Sequence, residues 1–476
     1  PEFAKETALC MAANGIKAYI FLSLRPTPML SFALRELGCT AGVVVTASHN
    51  PPQYNGYKVY WEDGAQITAP KDKQIITEVQ AITDFAQVKT MSEEDAKAAG
   101  LYEVIGEEID DKYMGALKKL VLRPEAIKEQ ADKLKIVYTP LHGTGNIPVR
   151  RVLKELGFNN VYVVKEQELP DGDFPTVSYP NPEDKNAFTL ALKLAAEVDA
   201  DIVLATDPDA DRLGIYAKNE KTGEYESFTG NMSGMLILEY LLSQRKELGM
   251  LPENGAVVTT IVSGKMARAI AKEYNVELIE TLTGFKYIGE QIKFFEQNHD
   301  HEFLFGYEES YGCLEGTHAR DKDAVVAVMA LCEAAAYYKS KGITLCEQME
   351  NLYQKYGFYK ESLFFQTFPG AEGKAKIDGL MDALRNQPPK QVGPFKVTAL
   401  EDYKKSVRTD IATGETSVLA LPESNVLYFE LEDGAWFCVR PSGTEPKIKY
   451  YAGVKGADAQ DAEEKLEALS KAVVEL

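Results

Sequence analysis

Twice in the first 212 residues, an apolar run of the kind a doubly buried strand requires empties straight into a polar loop: residues 42–45 into 46–52, and residues 201–205 into 207–212. Continuous hydrophobicity, without polar alternation, marks strands covered on both faces, as in parallel α/β sheets. The loop at the carboxyl end of such a strand is where these sheets place their chemistry. The same grammar runs along most of the chain. A helical pattern over residues 2–14 closes at Gly15 and gives way to a strand run at 16–22, and a second helix over 29–37 closes at Gly38 before the 42–45 strand. A second block has strands at 134–138, 161–164 and 201–205. A third has strands at 256–261, 276–280 and 303–305, alternating with helices such as 266–274 and 324–340. From Gly357 the pattern changes to β-rich runs at 363–368, 426–431, 435–439 and 448–452, closed by one last helix, which reads as a smaller α+β domain. Residues 70–130 are charged and helical, and read as the tail of the first domain and a linker.

Length agrees with this organisation, since 476 residues at roughly 150 per domain make three or four domains. Acidic residues outnumber basic ones by 72 to 52, a net charge of -20, which argues against nucleic acid or an anionic membrane as partner. An anionic substrate therefore needs a locally basic pocket. No run is long and apolar enough to span a bilayer. The six cysteines (Cys10, Cys39, Cys313, Cys332, Cys346, Cys438) form no CxxC pair and no dense framework, which predicts a reducing, cytoplasmic setting. The chain opens at Pro1 without a signal peptide or an initiator methionine, and we expect this to be a cut edge.

Four loops carry chemistry. In Thr46-Ala47-Ser48-His49-Asn50-Pro51-Pro52 a serine hydroxyl follows a buried strand, with no Gly-x-Ser-x-Gly elbow to make it a hydrolase nucleophile. Downstream, Asn55-Gly56-Tyr57-Lys58 supplies a tight turn and a lysine able to neutralise a phosphate or move a proton. Asp207-Pro208-Asp209-Ala210-Asp211-Arg212 spaces three carboxylates at alternate positions, so that their oxygens can converge on one hard cation. An EF-hand would need glycine and glutamate where Arg212 and Lys218 stand, so Mg2+ is favoured over calcium. Gly306-Tyr307-Glu308-Glu309-Ser310-Tyr311-Gly312 offers acceptors and a hydroxyl suited to sugar hydroxyls. Thr283-Gly284-Phe285-Lys286 and His318-Ala319-Arg320-Asp321-Lys322-Asp323 bring basic groups to short turns. Arg440-Pro441-Ser442-Gly443-Thr444-Glu445-Pro446-Lys447 combines a guanidinium, two hydroxyls and a glycine into an oxyanion cradle without Walker spacing.

In this order, the four loops resemble the phosphoserine, metal, sugar and phosphate loops of the α-D-phosphohexomutase superfamily, over nearly the whole chain. The Gly-Tyr-Glu-Glu-Ser-Tyr-Gly form is most similar to the bacterial α-phosphoglucomutase branch. The resemblance implies an α/β fold of three tandem similar α/β domains with mixed sheets plus a smaller C-terminal α+β domain around a central cleft. Their bounds are 1–125, 126–228, 229–355 and 356–476. It implies interconversion of glucose 1-phosphate and glucose 6-phosphate through phosphorylated Ser48 and glucose 1,6-bisphosphate. The alternatives are mannose or pentose phosphates as substrate, or an inactive sugar-phosphate-binding fragment. One Mg2+ per chain would sit on Ser48, Asp207, Asp209 and Asp211. His49, Lys58 and Arg212 would serve catalysis, with His49 or Lys58 as general base. Substrate would meet Thr283, Gly284, Lys286, Glu308, Ser310, His318, Arg320, Lys322, Arg440, Ser442, Gly443 and Thr444. The expected partners are small-molecule sugar phosphates, with neither nucleic acid nor membrane, and a monomer or weak homodimer in the cytoplasm. Family members open with a segment whose arginine reaches the active site, and this chain starts downstream of that segment, so we expect weak or no activity from it.

Overall fold

The computed structural model describes residues 1–368, 372–442 and 447–476. It divides into two compact units. The larger holds Pro1–Thr259, Tyr274–Ile279 and Gly284–Gln348; the smaller holds Thr260–Glu273, Glu280–Thr283 and Met349–Leu476.

Three sheet segments of the larger unit repeat one device, in which an apolar strand runs out into a loop and a second strand returns antiparallel to it; the strand is buried in the second and third but only half-buried in Ala41–Val45. Ala41–Val45 returns through Tyr57–Trp61, with Val44 opposite Lys58. Ile202–Thr206 returns through Leu213–Lys218, and Glu302–Tyr307 through Cys313–Glu315. The second and third pairs extend parallel sheets. Ile136–Thr139 lies parallel to both Val161–Val163 and Ile202–Thr206, and Gly255–Thr260 lies parallel to Glu302–Tyr307. The sheets are therefore mixed, parallel within and antiparallel toward one edge. Ile202–Thr206 is buried at every position, as a strand covered on both faces must be. Each of the three connecting loops also holds a non-glycine residue in left-handed backbone: Ser48 (φ 54°), Ala210 (φ 51°) and Tyr311 (φ 67°). That conformation is uncommon for L residues and persists where surrounding contacts over-determine it.

The stretch read as a linker is folded. Tyr102–Ile105 is a strand parallel to Ala18–Phe21, and Glu107–Lys118 is a helix that buries Ile109, Tyr113, Met114 and Leu117. The helix lies where helix was expected; the strand was concealed, because it is short and exposes its two middle residues, Glu103 and Val104. The helix Ala324–Ser340 is apolar almost all round and runs through the core, with Asp323 accepting the N–H groups of Val325 and Val326 at its start. No described helix is long and apolar enough to cross a membrane.

The smaller unit is built on an eight-stranded sheet whose main path runs Phe358–Thr367, Lys447–Gly456, Trp436–Pro441, Leu427–Leu431, Phe395–Asp402, Val407–Asp410, Thr416–Val418. Helices Gly373–Asn386 and Ala459–Val474 bury Ile377, Met381, Leu384, Leu466, Leu469 and Val473 in its core. At the centre Phe429 and Phe437 stack with ring centroids 4.3 Å apart.

Candidate active site

The return-strand device carries three loops toward one another within the larger unit. Ser48 sits at the first turn, its N–H bonded to Thr46 Oγ1 at 2.8 Å. Its hydroxyl lies 3.2 Å from Nδ1 of His49 and 3.4 Å from Oδ2 of Asp207, 159 residues away in sequence. Lys58, on the return strand, reaches Oδ2 of Asp209 at 3.0 Å and Oδ2 of Asp211 at 3.5 Å. From the other side Lys322 reaches the same Asp211 oxygen at 3.1 Å. The Lys322 stem passes so close to Gly312 that a Cβ there would stand 2.0 Å from Cδ of the lysine.

The three aspartates are buried, with one candidate ligand oxygen from each lying within 4.8 Å of the others. Their oxygens divide the work. Oδ1 of Asp207 accepts the N–H groups of Asp211 and Arg212, both at 3.0 Å, which curls the loop around it. Oδ2 of Asp209 and of Asp211 face the lysines, whereas Oδ1 of each is buried without a hydrogen-bond partner among the described residues, Arg212 Nε standing 3.8 Å from that of Asp211. Buried polar atoms are rarely left so, and two unpartnered carboxylate oxygens beside a serine hydroxyl make the all-oxygen donor set of a hard divalent cation. The residues fit Mg2+.

The charges here control one another. Burial pushes the Asp207 carboxyl well above the usual range, and the neighbouring Asp211 and Asp209 add to it. Burial works against ionisation of Asp211 too, yet Lys322, Lys58 and Arg212 hold that carboxyl below its usual value. Lys58 and Lys322 keep their protons more firmly than free lysines do: burial opposes their charge, and the facing carboxylates outweigh it. His49 is pushed down to about 3, by burial first and then by the Arg212 guanidinium, and its ring meets Tyr179 edge-on at 5.8 Å. Arg212 is itself paired with Glu183.

Of the remaining sequence-predicted residues, Glu308 is buried and accepts the Gly284 N–H at 2.8 Å, while Ser310 is half-buried in the same loop. Gly284 has φ 124° and precedes helix Phe285–Asn298. Lys286, in that helix, lies over the Tyr287 ring, and Thr283, in the smaller unit, is half-buried. His318 and Arg320 are spent on internal bonds. Nε2 of His318 meets Asp323 at 2.7 Å, and Arg320, 1% exposed, pairs with Glu296 and the Thr317 carbonyl. In the smaller unit, Nη1 of Arg440 is buried with no partner among the described residues, and the Ser442 N–H donates to the Lys447 carbonyl at 2.7 Å. Gly443 and Thr444 lie outside the described residues. Sequence reasoning missed Thr27, which hydrogen-bonds Asp209, and Glu183, which pairs with Arg212. Neither has a local signal, since each acts on a loop far away in sequence.

The chain matches the phosphoglucomutase/phosphomannomutase alpha/beta/alpha domains I, II and III over residues 1–85, 111–222 and 229–356, and the C-terminal domain over 388–470. It is 40% identical over 456 residues to the phosphoglucomutase of Staphylococcus epidermidis strain ATCC 35984, covering 95% of this chain and 81% of that protein. With the phosphoglucomutase of Staphylococcus aureus strain MRSA252 it shares 37% over 470 residues, 98% and 82% of the two chains. Among solved structures it resembles Paramecium pp63/parafusin, a phosphoglucomutase in its open form, with a TM-score of 0.69 at 19% identity over 99% of this chain and 84% of that one. It also resembles N-acetylphosphoglucosamine mutase from Aspergillus fumigatus in complex with GlcNAc-6P and magnesium, with a TM-score of 0.53 at 15% identity over 98% and 92%. The chain is an enzyme of the phosphoglucomutase/phosphomannomutase family, within the α-D-phosphohexomutase superfamily.

Proposed function

We propose that the protein is a phosphoglucomutase that interconverts glucose 1-phosphate and glucose 6-phosphate through phosphorylated Ser48 and a glucose 1,6-bisphosphate intermediate. The observation that carries this reading is the Ser48 hydroxyl 3.4 Å from Asp207, beside two buried carboxylate oxygens without partners. Asp207, Asp209, Asp211 and Ser48 would hold one Mg2+, the ion found in the Aspergillus relative, which supplies Lewis-acid charge to the transferring phosphoryl group.

The chain's own residues do the rest. Ser48 gives its phosphoryl group to the free hydroxyl of the sugar phosphate: the serine O–P bond breaks, the sugar O–P bond forms, and the sugar hydroxyl's proton passes to the serine oxygen. Such transfer depends on positioning and charge stabilisation, and Lys58, Lys322 and Arg212 supply fixed positive charge around the carboxylates. After the bisphosphate turns over, Ser48 attacks its other phosphate: the serine O–P bond re-forms as that sugar O–P bond breaks, and the serine proton passes to the departing sugar oxygen by way of Nδ1 of His49, 3.2 Å from the hydroxyl, which burial keeps neutral between turnovers. Lys58, doubly paired with carboxylates, acts as a fixed charge and not as the base. In the larger unit Glu308 and Ser310 receive ring hydroxyls, with Gly284 and Lys286 as further substrate residues; in the smaller unit Thr283, Arg440, Ser442, Gly443 and Thr444 are the substrate residues, the last four for phosphate. His318 and Arg320 brace the backbone between Gly316 and Asp323. The enzyme works on small sugar phosphates in the cytoplasm, as a monomer or weak homodimer.

Mass spectrometry of the purified protein should find a phosphate on the peptide containing Ser48, and Ser48→Ala should lose both that phosphate and net isomerisation. Turnover retained by the alanine variant would remove the phosphoserine route. Mannose 1-phosphate processed as fast as glucose 1-phosphate would replace the substrate.

A further inference from the structure

The metal loop is held from a distance by a residue to which no role has been given so far. Thr27 opens the helix Thr27–Glu36, followed at once by Pro28, whose missing N–H costs nothing in the first turn. The threonine is fully buried, at 0% exposure. Its backbone N–H donates to the Asp209 carbonyl at 2.9 Å, and its hydroxyl donates to Oδ2 of Asp209 at 3.1 Å. Lys58 takes the same Oδ2 at 3.0 Å, so both donors converge on one carboxylate oxygen and leave Oδ1 buried and unpartnered. A carboxylate turns about its last bond at little cost. Two donors on one oxygen fix that rotation, and the main-chain bond fixes the backbone beneath it.

We propose that Thr27 is a positioning residue for the metal site: its hydroxyl clamps Oδ2 of Asp209 so that Oδ1 is presented to a divalent cation. This rests on the reading of Asp207, Asp209 and Asp211 as a Mg2+ site. Groups that orient metal ligands from behind typically contribute 10- to 100-fold in affinity. On Asp211, Lys322 takes Oδ2 at 3.1 Å, and Oδ1 has no hydrogen-bond partner among the described residues, with Arg212 Nε 3.8 Å away.

The test is titration calorimetry of the whole chain with Mg2+ and Mn2+, in parallel with thermal unfolding in EDTA. Thr27→Val keeps the shape and the backbone bond and removes only the hydroxyl, so its Kd should rise about 10-fold or more. Its melting point in EDTA should stay near that of the wild type, because a merely structural role would lower the melting point and leave Kd alone. Thr27→Ser restores a hydroxyl and should return Kd to within about 3-fold of wild type, and Thr27→Ala serves if the valine variant does not fold. An unchanged Kd in Thr27→Val, or serine weakening the site as much as valine, overturns the proposal. Wild-type protein that binds neither cation would instead remove the metal site itself, a distinct failure visible before any variant is made.

Discussion

At the scale of single residues, the site works by denying its carboxylates ordinary partners. Asp209 and Asp211 each give one oxygen to an ammonium group of the chain and keep the other buried without a hydrogen bond among the described residues. The arrangement depends on close approaches that only glycine permits. Gly312 is the clearest case, since any Cβ there would overlap the Lys322 stem at 2.0 Å. Gly312→Ala should push Lys322 off Asp211 and lower kcat at least about 10-fold, with the far-ultraviolet circular dichroism unchanged. The fixed positive charge acts in the transition state, so KM should move less than kcat. Equal kcat in variant and wild type would mean that Lys322 is not needed where the structure puts it.

At the scale of elements, buried acids mark the strands that cannot shed charge to solvent. Glu315 ends the strand Cys313–Glu315, is fully buried, and is pushed up to about 8, chiefly by burial, although Arg245 stands 3.7 Å away. A carboxyl whose folded pKa lies above its unfolded value holds its proton longer in the fold. Its contribution to stability is complete below about 4.5 and is lost as pH rises through about 8. Relative to Glu315→Gln, which stays neutral, the wild type should lose on the order of a few kcal/mol between these limits and then level off. Melting temperatures of both proteins from pH 5 to 9 check this: the gap should open with rising pH. Parallel curves would mean that Arg245 keeps Glu315 ionised throughout.

At the scale of the molecule, two compact units with separate cores predict unfolding in more than one step. The aspartate cluster lies wholly in the larger unit and the Phe429–Phe437 stack in the smaller. Mg2+ should therefore raise only one calorimetric transition. Phe437→Ala should lower the other by about 3–5 kcal/mol, the usual cost of emptying a buried aromatic site. A single transition shifted by both would show the two units to be one cooperative block.

Much of this was legible in the letters. The helices at 266–274 and 324–340 were readable residue for residue, because long apolar or amphipathic periods need no tertiary help. Ser48, the alternate aspartates and the glutamate loop stood out because each follows an apolar run, and the ends of such strands are where these sheets expose side chains. The helix Glu107–Lys118 falls where helix was expected, whereas the strand Tyr102–Ile105 was hidden by its two exposed middle residues. Contacts between residues far apart in sequence were out of reach altogether. The bond from Thr27 to Asp209 spans 182 residues, and the ion pair from Lys322 to Asp211 joins the segment before the helix Ala324–Ser340 to the aspartate loop. Local pattern thus determined the elements and the types of chemistry, since both follow from neighbours along the chain. Which oxygen faces the metal site and which lysine neutralises it was decided only by packing, because those partners meet nowhere but in the folded protein.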